Sequence, residues 1–251
     1  MTPGPRRGHA DADRVRELLA IEQEVVGCRA CPRLVAWREL VATEKRAAFR
    51  DETYWGRPVP GFGDPAAHLV IVGLAPAAHG ANRTGRMFTG DRSGDFLYRA
   101  MYKTGFASQP HSVSRDDGMR LIGAYVSAAA RCAPPDNKPL PEELRNCRPY
   151  LERELELLKD LRVVIALGRI GFDTYLSILR DKGIIKSRSA FPFGHAVEYR
   201  VAPEQPVLLA SYHPSQQNTS TGKLTDKMLT AVFRRARAIV DRRGARHRLN
   251  V

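Results

Sequence analysis

The sequence has no apolar run approaching the roughly 20 residues needed to span a bilayer. Its N-terminus, from Met1 to Arg14, also has no apolar core of the kind found in signal peptides. We therefore expect a cytoplasmic protein without a membrane partner. The segment from Gly73 to Gly80 matches neither the dinucleotide-binding fingerprint nor the phosphate-binding P-loop. This argues against a nucleotide-binding enzyme.

Acidic residues are scarce relative to basic ones. The chain holds 27 Asp and Glu against 40 Lys and Arg, which gives a formal net charge of +13. Such an excess favours a polyanionic partner, because basic side chains that neutralise phosphates release bound counterions. We expect a nucleic acid as the partner. The alternative at this stage is a protein that is basic without binding nucleic acid.

Apolar runs alternate with helical patterns along the 251 residues, which predicts a mainly parallel sheet flanked by helices. Residues 1–10 and 244–251 carry basic residues without periodicity and are predicted as flexible tails, leaving residues 11–243 as a single domain. Two short strands are also expected, at Ile184–Ile185 and at Ala196–Val201. The four main predicted strands are Leu69–Val72, Leu121–Ala130, Val163–Leu167 and Val207–Ala210.

A long loop follows the first strand, from Gly73 to Asp91. It is too long and too specific in composition to be only a connector, and ligands usually bind where a strand ends in such a loop. Phe88 has no obvious core role there, so its ring either stacks on a base or anchors the loop. Asp91 either caps the next helix, for which Ser93 is the other candidate, or positions a water molecule.

A second polar loop follows the last main strand and contains His213. We expect it at the same sheet edge as the first loop, where an imidazole N–H can stabilise a developing oxyanion. The uncharged residues that follow suit contact with DNA, although an ordinary exposed loop is the alternative. Asn137, in a proline-rich segment, is either a turn residue or an amide that reads a base edge.

Four cysteines are present, and two of them form a Cys28-x-x-Cys31 pair. Together with Cys132 and Cys147 they suit a four-thiolate site, either an iron-sulfur cluster or a structural zinc. Their spacing alone does not distinguish the two metals. The remaining alternative is that Cys132 and Cys147 are small buried apolar residues and that the pair is incidental.

Three motifs together resemble the uracil-DNA glycosylase superfamily, specifically its family 5 (type B) enzymes. They are the segment from Gly73 to Asp91, the segment Arg131–Pro139 and the run Tyr212–Ser215, and the cysteine arrangement matches as well. The resemblance implies a three-layer α/β/α sandwich with a central, mainly parallel four-stranded sheet. It also implies a [4Fe-4S] cluster held by the four cysteines and a DNA-repair hydrolase that removes uracil, and other deaminated bases such as hypoxanthine, from DNA.

The resemblance assigns roles by position in three groups. Asp91, Asn137 and His213 are the candidate catalytic residues, with His213 on the O2 side of the uracil. The candidate base-binding residues are Gly73, Leu74, Ala75, Pro76, Asn82 and Phe88, and the candidate DNA contacts are Arg83, Arg86, Ser215, Gln216, Gln217 and Asn218.

The sequence departs from other branches of the superfamily at Leu74 and Ala75, which stand where those branches place an acidic or amide side chain. The identity of a general base is therefore open. No lysine is suitably placed as a lyase nucleophile, so we expect a monofunctional glycosylase. Nothing in the sequence suggests a coiled coil or a large apolar face, so we expect a monomer. The competing hypothesis is a non-enzymatic nucleic-acid-binding protein with an iron-sulfur or zinc staple.

Overall fold

The computed structural model describes residues 6–248, and the side chains of residues 11–242. Its first helix begins at Arg6 and its last ends at Arg248. The described parts of the two predicted tails are therefore helical, and no proline interrupts the chain between Pro5 and Pro32. Residues 1–5 and 249–251, the rest of the predicted tails, lie outside the described residues.

One six-stranded sheet organises the chain, in the order β1-β3-β2-β4-β6-β5. Its four central strands pair in parallel, and the two-residue strands at the edges pair antiparallel. The strands are β1 (Phe62–Gly63), β2 (Leu69–Gly73), β3 (Ala124–Ala128), β4 (Val163–Leu167), β5 (Glu198–Tyr199) and β6 (Val207–Ser211). The expected four-stranded parallel sheet is confirmed, with one short strand added at each edge.

Eight α-helices accompany the sheet in the described part of the chain. They are α1 (Arg6–Gly27), α2 (Pro32–Glu44), α3 (Ala81–Thr84), α4 (Arg92–Lys103), α5 (Pro141–Leu157), α6 (Arg169–Asp181), α7 (Gln216–Ser220) and α8 (Asp226–Arg248). Among these residues no helix is both long enough and apolar enough to cross a bilayer.

The sheet separates two apolar cores, because successive side chains of a strand point to opposite faces. Leu69 and Ile71 of β2 pack toward α4 and α8, whereas Val70 and Val72 pack toward α1, α5 and α6. All five residues of each central strand are buried, as expected for a parallel sheet covered on both faces. The result is the expected three-layer α/β/α sandwich.

Three predicted strands differ from the observed ones by more than one residue, and one of them, Ala196–Val201, is reduced to Glu198–Tyr199. β3 starts at Ala124 rather than Leu121, since Gly123 adopts a positive φ of 61° that interrupts the extended backbone. Ile184–Ile185 is not a strand: it follows α6 directly and its amides donate to the carbonyl of Leu179. These two isoleucines pack against the core under the sheet instead.

The topology also marks where a ligand site is expected. The helix after β2 covers one face of the sheet, whereas the helix after the neighbouring strand β4 covers the other. Ligands of open α/β sheets bind outside the carboxyl ends of the strands at such a switch point. Gly73 ends β2, and Gly168 follows β4 directly.

Candidate active site

The first wall of the candidate site is the loop that leaves β2. The ring of Phe88 lies on the backbone of Gly73, where an added Cβ atom would stand 2.7 Å from the ring. Only glycine permits this approach. Phe88 is buried and has a φ of 53°, which is an unusual conformation for a bulky residue and a common feature of functional sites. The loop thus holds an aromatic ring rigidly at the end of β2.

The second wall is His213, two residues beyond β6. Its imidazole faces Phe88, with the ring centroids 5.8 Å apart and the ring planes 31° from parallel. Gly168 has a φ of 86°, and an added Cβ atom there would lie 3.1 Å from the Cβ atom of His213. The structure therefore brings together the two loops that the sequence placed at one sheet edge.

The environment of His213 determines its charge. Burial lowers the pKa of its imidazole to about 4, so at neutral pH the ring is uncharged and carries one N–H donor. A neutral donor can hydrogen-bond to an oxygen that gains negative charge during a reaction.

A short helix supports the turn that carries His213. The backbone N–H of Asn218 donates to Ser215 Oγ over 3.4 Å, and the Asn218 side chain donates to the His213 carbonyl over 2.9 Å. Ser215 and Asn218 thus fix the turn. Gln216 and Gln217 are exposed on α7. The segment predicted as an irregular polar loop is helical because Ser215 is a favourable N-cap residue.

Asp91 is the N-cap of α4, one residue before the helix starts. Its Oδ1 accepts from the backbone N–H of Gly94 over 2.9 Å, so Asp91 and not Ser93 caps this helix. Its Oδ2 lies against Gly80, where an added Cβ atom would be only 2.0 Å away. Burial raises the pKa of this carboxyl, which strengthens it as a proton acceptor.

The backbone from Gly73 to Pro76 continues along the neighbouring strand. The carbonyls of Gly73 and Leu74 accept from the backbone N–H groups of Ala129 and Ala130 over 3.0 and 2.9 Å. Leu74 and Ala75 are half-buried and Pro76 is buried. This segment therefore forms a backbone wall beside Phe88 that carries no ionisable side chain.

The predicted DNA contacts Arg83 and Arg86 are instead buried inside the loop. Arg83 pairs with Glu52 and donates to the carbonyls of His79 and Gly90 over 2.9 and 2.7 Å. Arg86 pairs with Asp117 over 2.7 Å and also donates to Ser112, Thr89 and the Arg115 carbonyl. These contacts occupy both guanidinium groups, so the two arginines shape the loop from within.

Asn82 and Asn137 lie in different environments. Asn82 is fully buried in α3 and donates to the carbonyls of Arg38 and Ala78 over 3.2 and 3.4 Å. Its position is that of a residue that holds the loop, with no ring or imidazole of the site among its hydrogen-bond partners. Asn137 is exposed, with a φ of 57° in the turn before α5, a conformation that asparagine tolerates well.

A family model described as the uracil DNA glycosylase superfamily matches residues 60–237, which contain the Phe88 loop and His213. The chain belongs to this superfamily. It is 54% identical to a type-5 uracil-DNA glycosylase of Thermus thermophilus over 220 residues, which are 88% of this chain and 97% of the relative. It is 45% identical to a type-5 uracil-DNA glycosylase of Pyrobaculum aerophilum over 85% of this chain and 89% of that protein.

The same Pyrobaculum species also has a type-4 uracil-DNA glycosylase, to which the identity is 31% over 64% of this chain and 74% of the relative. Within the superfamily the chain is thus more similar to the two type-5 proteins than to this type-4 protein. The family membership agrees with the resemblance that the three sequence motifs indicate.

The four cysteines of this superfamily member converge between α2, α5 and the segment after β3. Burial raises the pKa of the Cys132 thiol to about 12 against the opposing effect of Arg38, and the nearby Cys147 and Cys28 add smaller contributions in the direction of burial. Burial also raises the pKa of the Cys147 thiol, and Cys31 and Cys28 act in the same direction. Cys31 and Cys132 pack in one buried cluster, and Arg38 contacts both the Cys28 carbonyl and Cys132 Sγ. Asn146, beside Cys147, donates to Cys31 Sγ over 3.5 Å, so the four cysteines lie in one region.

Two buried arginines accompany this cysteine cluster. Arg38 donates from Nη1 to Cys132 Sγ over 2.9 Å, and Arg131 pairs with the buried Glu154 over 2.6 Å. Nitrogen atoms of both guanidinium groups are nevertheless buried without a hydrogen-bond partner among the residues that the structure describes. In the described residues, no group of three or more His, Cys, Asp or Glu side chains is arranged to hold a single metal ion.

Sequence reasoning missed His195, which is close to the turn that carries His213. Its Nδ1 lies 3.3 Å from Ser211 Oγ and 3.4 Å from the backbone N of Tyr212, and its ring stacks on Tyr212 with centroids 5.2 Å apart. Lys223 Nζ lies 5.0 Å from the Tyr212 ring centroid. The irregular sequence around His195 gives no signal that it packs beside β6.

Proposed function

We propose that this protein removes uracil from DNA by hydrolysing the N-glycosidic bond, and that it leaves an abasic site without cutting the strand. The Phe88–His213 pair carries the proposal, since it places an aromatic face beside a neutral N–H donor. The relatives named as type-5 uracil-DNA glycosylases support the same reaction. The formal charge of +13 suits a DNA partner.

The base enters the site by leaving the duplex. A uracil inside a stacked helix is out of reach, so the nucleotide rotates out and the base fills the space beside Phe88. The phenyl ring stacks on the base, and the backbone wall from Gly73 to Pro76 lines the pocket. Because Gly73 lets the ring rest on its backbone, the aromatic face is in place before the base arrives.

His213 stabilises the leaving group. When the bond between C1′ and N1 breaks, its electron pair moves onto the uracil ring, and negative charge appears on the O2 side. The neutral imidazole donates its N–H to that oxygen and needs no proton transfer to do so. A preformed donor of this kind lowers the barrier because the charge it stabilises is present only in the transition state and afterwards.

Asp91 is our candidate for positioning the water. Its Oδ1 accepts the hydrogen bond that caps α4, whereas its Oδ2 lies against Gly80. The water oxygen bonds to C1′ as the base departs, and the raised pKa of Asp91 lets it accept a proton from that water. Asn137 forms no side-chain hydrogen bond within the described residues, so its amide is available for the base edge.

We extend the proposal to other deaminated bases such as hypoxanthine. Deamination leaves a carbonyl oxygen at O4 of uracil and at O6 of hypoxanthine, whereas the imidazole donates on the O2 side of uracil. In hypoxanthine the ring nitrogen N3 takes the place of O2 beside the bond that breaks, and it accepts from the same N–H. Leu74 and Ala75 carry no amide or carboxylate that would select uracil by its polar edge. A pocket built from a ring, a backbone wall and one donor therefore accepts more than one base.

We also propose that Cys28, Cys31, Cys132 and Cys147 hold a [4Fe-4S] cluster. The unpaired buried nitrogen atoms of Arg38 and Arg131 fit an anionic group among these cysteines. Four thiolates that each bind a different iron atom stand farther apart than ligands of a single ion. When bound, the cluster ties α1 and α2 to the segment after β3 and to α5.

Release of free base tests the proposal. Duplexes with uracil opposite guanine, uracil opposite adenine or hypoxanthine opposite thymine are incubated with the purified protein, and the released base is separated by chromatography. We expect uracil and hypoxanthine to be released from otherwise intact strands. If the protein binds the same duplexes but releases neither base, the result favours the hypothesis of a non-enzymatic binding protein.

A further inference from the structure

A second cleft lies apart from Phe88 and His213. It has a volume of about 900 Å³ and runs between the C-terminal half of α1, the middle of α2 and the segment around Trp55. Its charged side chains are four arginines and two glutamates: Arg29, Arg38, Arg57, Arg115, Glu22 and Glu39. Because Arg38 is committed to the cysteine cluster, the cations that remain at the surface are Arg29, Arg57 and Arg115.

Two of these arginines are arranged around one indole ring. The guanidinium carbons of Arg57 and Arg115 lie 5.8 and 4.8 Å from the ring centroid of Trp55. Cation–π contact of this kind restricts a long side chain to a small region of space. Both arginines are exposed, so their donors face solvent from a fixed platform. Planar guanidinium groups held in this way match the oxygen pairs of a phosphodiester.

The Trp55 ring, with Arg57 and Arg115 over it, packs against the loop that shapes the base site. The Trp55 ring packs on Gly85, where an added Cβ atom would be 2.8 Å from the indole. The backbone N–H of Trp55 donates to the Arg83 carbonyl over 2.8 Å. The Arg115 carbonyl accepts from the side chain of Arg86 over 3.1 Å. A ligand held by this cleft therefore contacts Trp55 and Arg115, which in turn contact the outer side of the Phe88 loop.

The two arginines differ in the free protein. Arg57 pairs with no carboxylate among the described residues, whereas Arg115 pairs with Glu22 of α1 over 2.9 Å. Both partners of that pair lie at the surface, where an ion pair contributes little. Glu22 thus occupies a position that a phosphate would take, and it competes with an anion for Arg115.

We propose that this cleft is a phosphodiester-binding site in which Arg57 and Arg115, held over Trp55, grip the DNA backbone outside the base pocket. The site rests on the proposed function only in taking DNA as the polyanion. It reads no base, so it binds duplexes with and without uracil equally. By bracing the Phe88 loop from outside, it also links strand binding to the shape of the base site.

Binding of a uracil-free duplex to the complete protein, measured over a range of salt concentrations, tests the site. We expect Arg57→Ala and Arg115→Ala each to weaken binding roughly three- to tenfold and to reduce the salt dependence by about one counterion. Glu22→Gln should tighten binding instead. Because the duplex contains no uracil, a protein that never excises a base still gives a clear result.

Arg188→Ala is the matched control, since Arg188 is an exposed arginine whose side chain bonds only to Ser177 Oγ in the described residues. An equal loss of affinity in this control would show that overall charge alone matters and would overturn the site. Unchanged affinity in both cleft variants, or weaker binding in Glu22→Gln, would also overturn the site.

A fluorescence readout locates the ligand directly. The chain has two tryptophans, so Trp37→Phe leaves Trp55 as the sole indole. We expect the emission of this variant to change on titration with the uracil-free duplex, and the change to disappear when Arg57→Ala and Arg115→Ala are added. An emission that stays constant while DNA binds would place the DNA elsewhere.

Discussion

At the scale of single residues, the site depends on close approaches that only a few side chains allow. Gly73 carries the Phe88 ring on its backbone, and Gly168 leaves room for His213. Both glycines lie where an apolar run ends, and such strand ends are visible in the sequence. The sequence was therefore enough to predict that Gly73, Phe88 and His213 belong to the site. The burial of Arg83 and Arg86 was not, since each is neutralised by a carboxylate 31 residues away along the chain.

Removing the imidazole isolates its contribution to catalysis. In His213→Ala we expect the single-turnover rate of uracil excision to fall by at least about tenfold, because the developing charge on the base loses its donor. Affinity for DNA should stay nearly unchanged, because His213 is half-buried in the pocket and holds no phosphate. Equal excision rates in the variant and the unaltered protein would remove His213 from the mechanism.

The low pKa of His213 predicts a particular pH profile. The folded pKa of about 4 lies below the ordinary value of 6.5, so the imidazole stays neutral from pH 8 down to about pH 5. Single-turnover excision should therefore show no break near pH 6.5 that depends on this residue. Profiles of the unaltered protein and of His213→Asn test this, and a break near 6.5 present only in the former would contradict it.

The same shift affects stability with a definite sign. The unfolded chain binds a proton at this histidine below pH 6.5, whereas the folded protein does so only near pH 4. The contribution of His213 to the free energy of unfolding is thus fully present above pH 6.5 and is lost as the pH falls toward 4.

At the scale of secondary-structure elements, the Asp91 carboxyl has two roles. Asp91 caps α4 and is also our candidate for positioning the water. The cap was within reach of sequence reasoning, which named both Asp91 and Ser93 for it. The choice between them depends on the close packing of the carboxyl against Gly80, a contact across eleven residues that no local pattern reveals. The helical segment after Ser215 was missed for a related reason, since polar, uncharged residues give no apolar periodicity.

Two substitutions separate the duties of Asp91. Asparagine caps helices about as well as aspartate, whereas alanine in that position costs about 1 kcal/mol. We expect Asp91→Asn to leave the thermal midpoint unchanged and to slow excision by about tenfold. Asp91→Ala should lower both the midpoint and the rate. If Asp91→Asn excises uracil at the full rate, Asp91 is only a helix cap.

At the scale of the whole molecule, apolar strand patterns separated by helices were enough to predict the three-layer fold. All four central strands fall where those runs occur, because a strand covered on both faces needs apolar residues at every position. The edge strands β1 and β5 have only two residues each, too few for a pattern, and their pairing depends on neighbours far away in sequence. Convergence of the four cysteines likewise follows from tertiary packing. Only the Cys28-x-x-Cys31 pair is visible as a local pattern in the sequence.

The cysteine cluster connects the N-terminal helices to the body of the protein. If it holds a [4Fe-4S] cluster, the purified protein is brown and contains about four iron atoms per chain. We expect Cys132→Ser to lose iron and to lower the thermal midpoint, because metal binding stabilises the folded state. Hydrogen exchange should then rise first in α1 and α2. Colourless protein with about one zinc per chain would replace the iron-sulfur proposal with a structural zinc.

The measurement that bears most directly on the account is strand cleavage, after alkali, of an end-labelled duplex with one uracil opposite guanine. The account predicts a single cut at the uracil, no cut when alkali is omitted, and no cut in a matched duplex with cytosine at that position. Intact strands after alkali, from protein that binds the duplex, would contradict the glycosylase function.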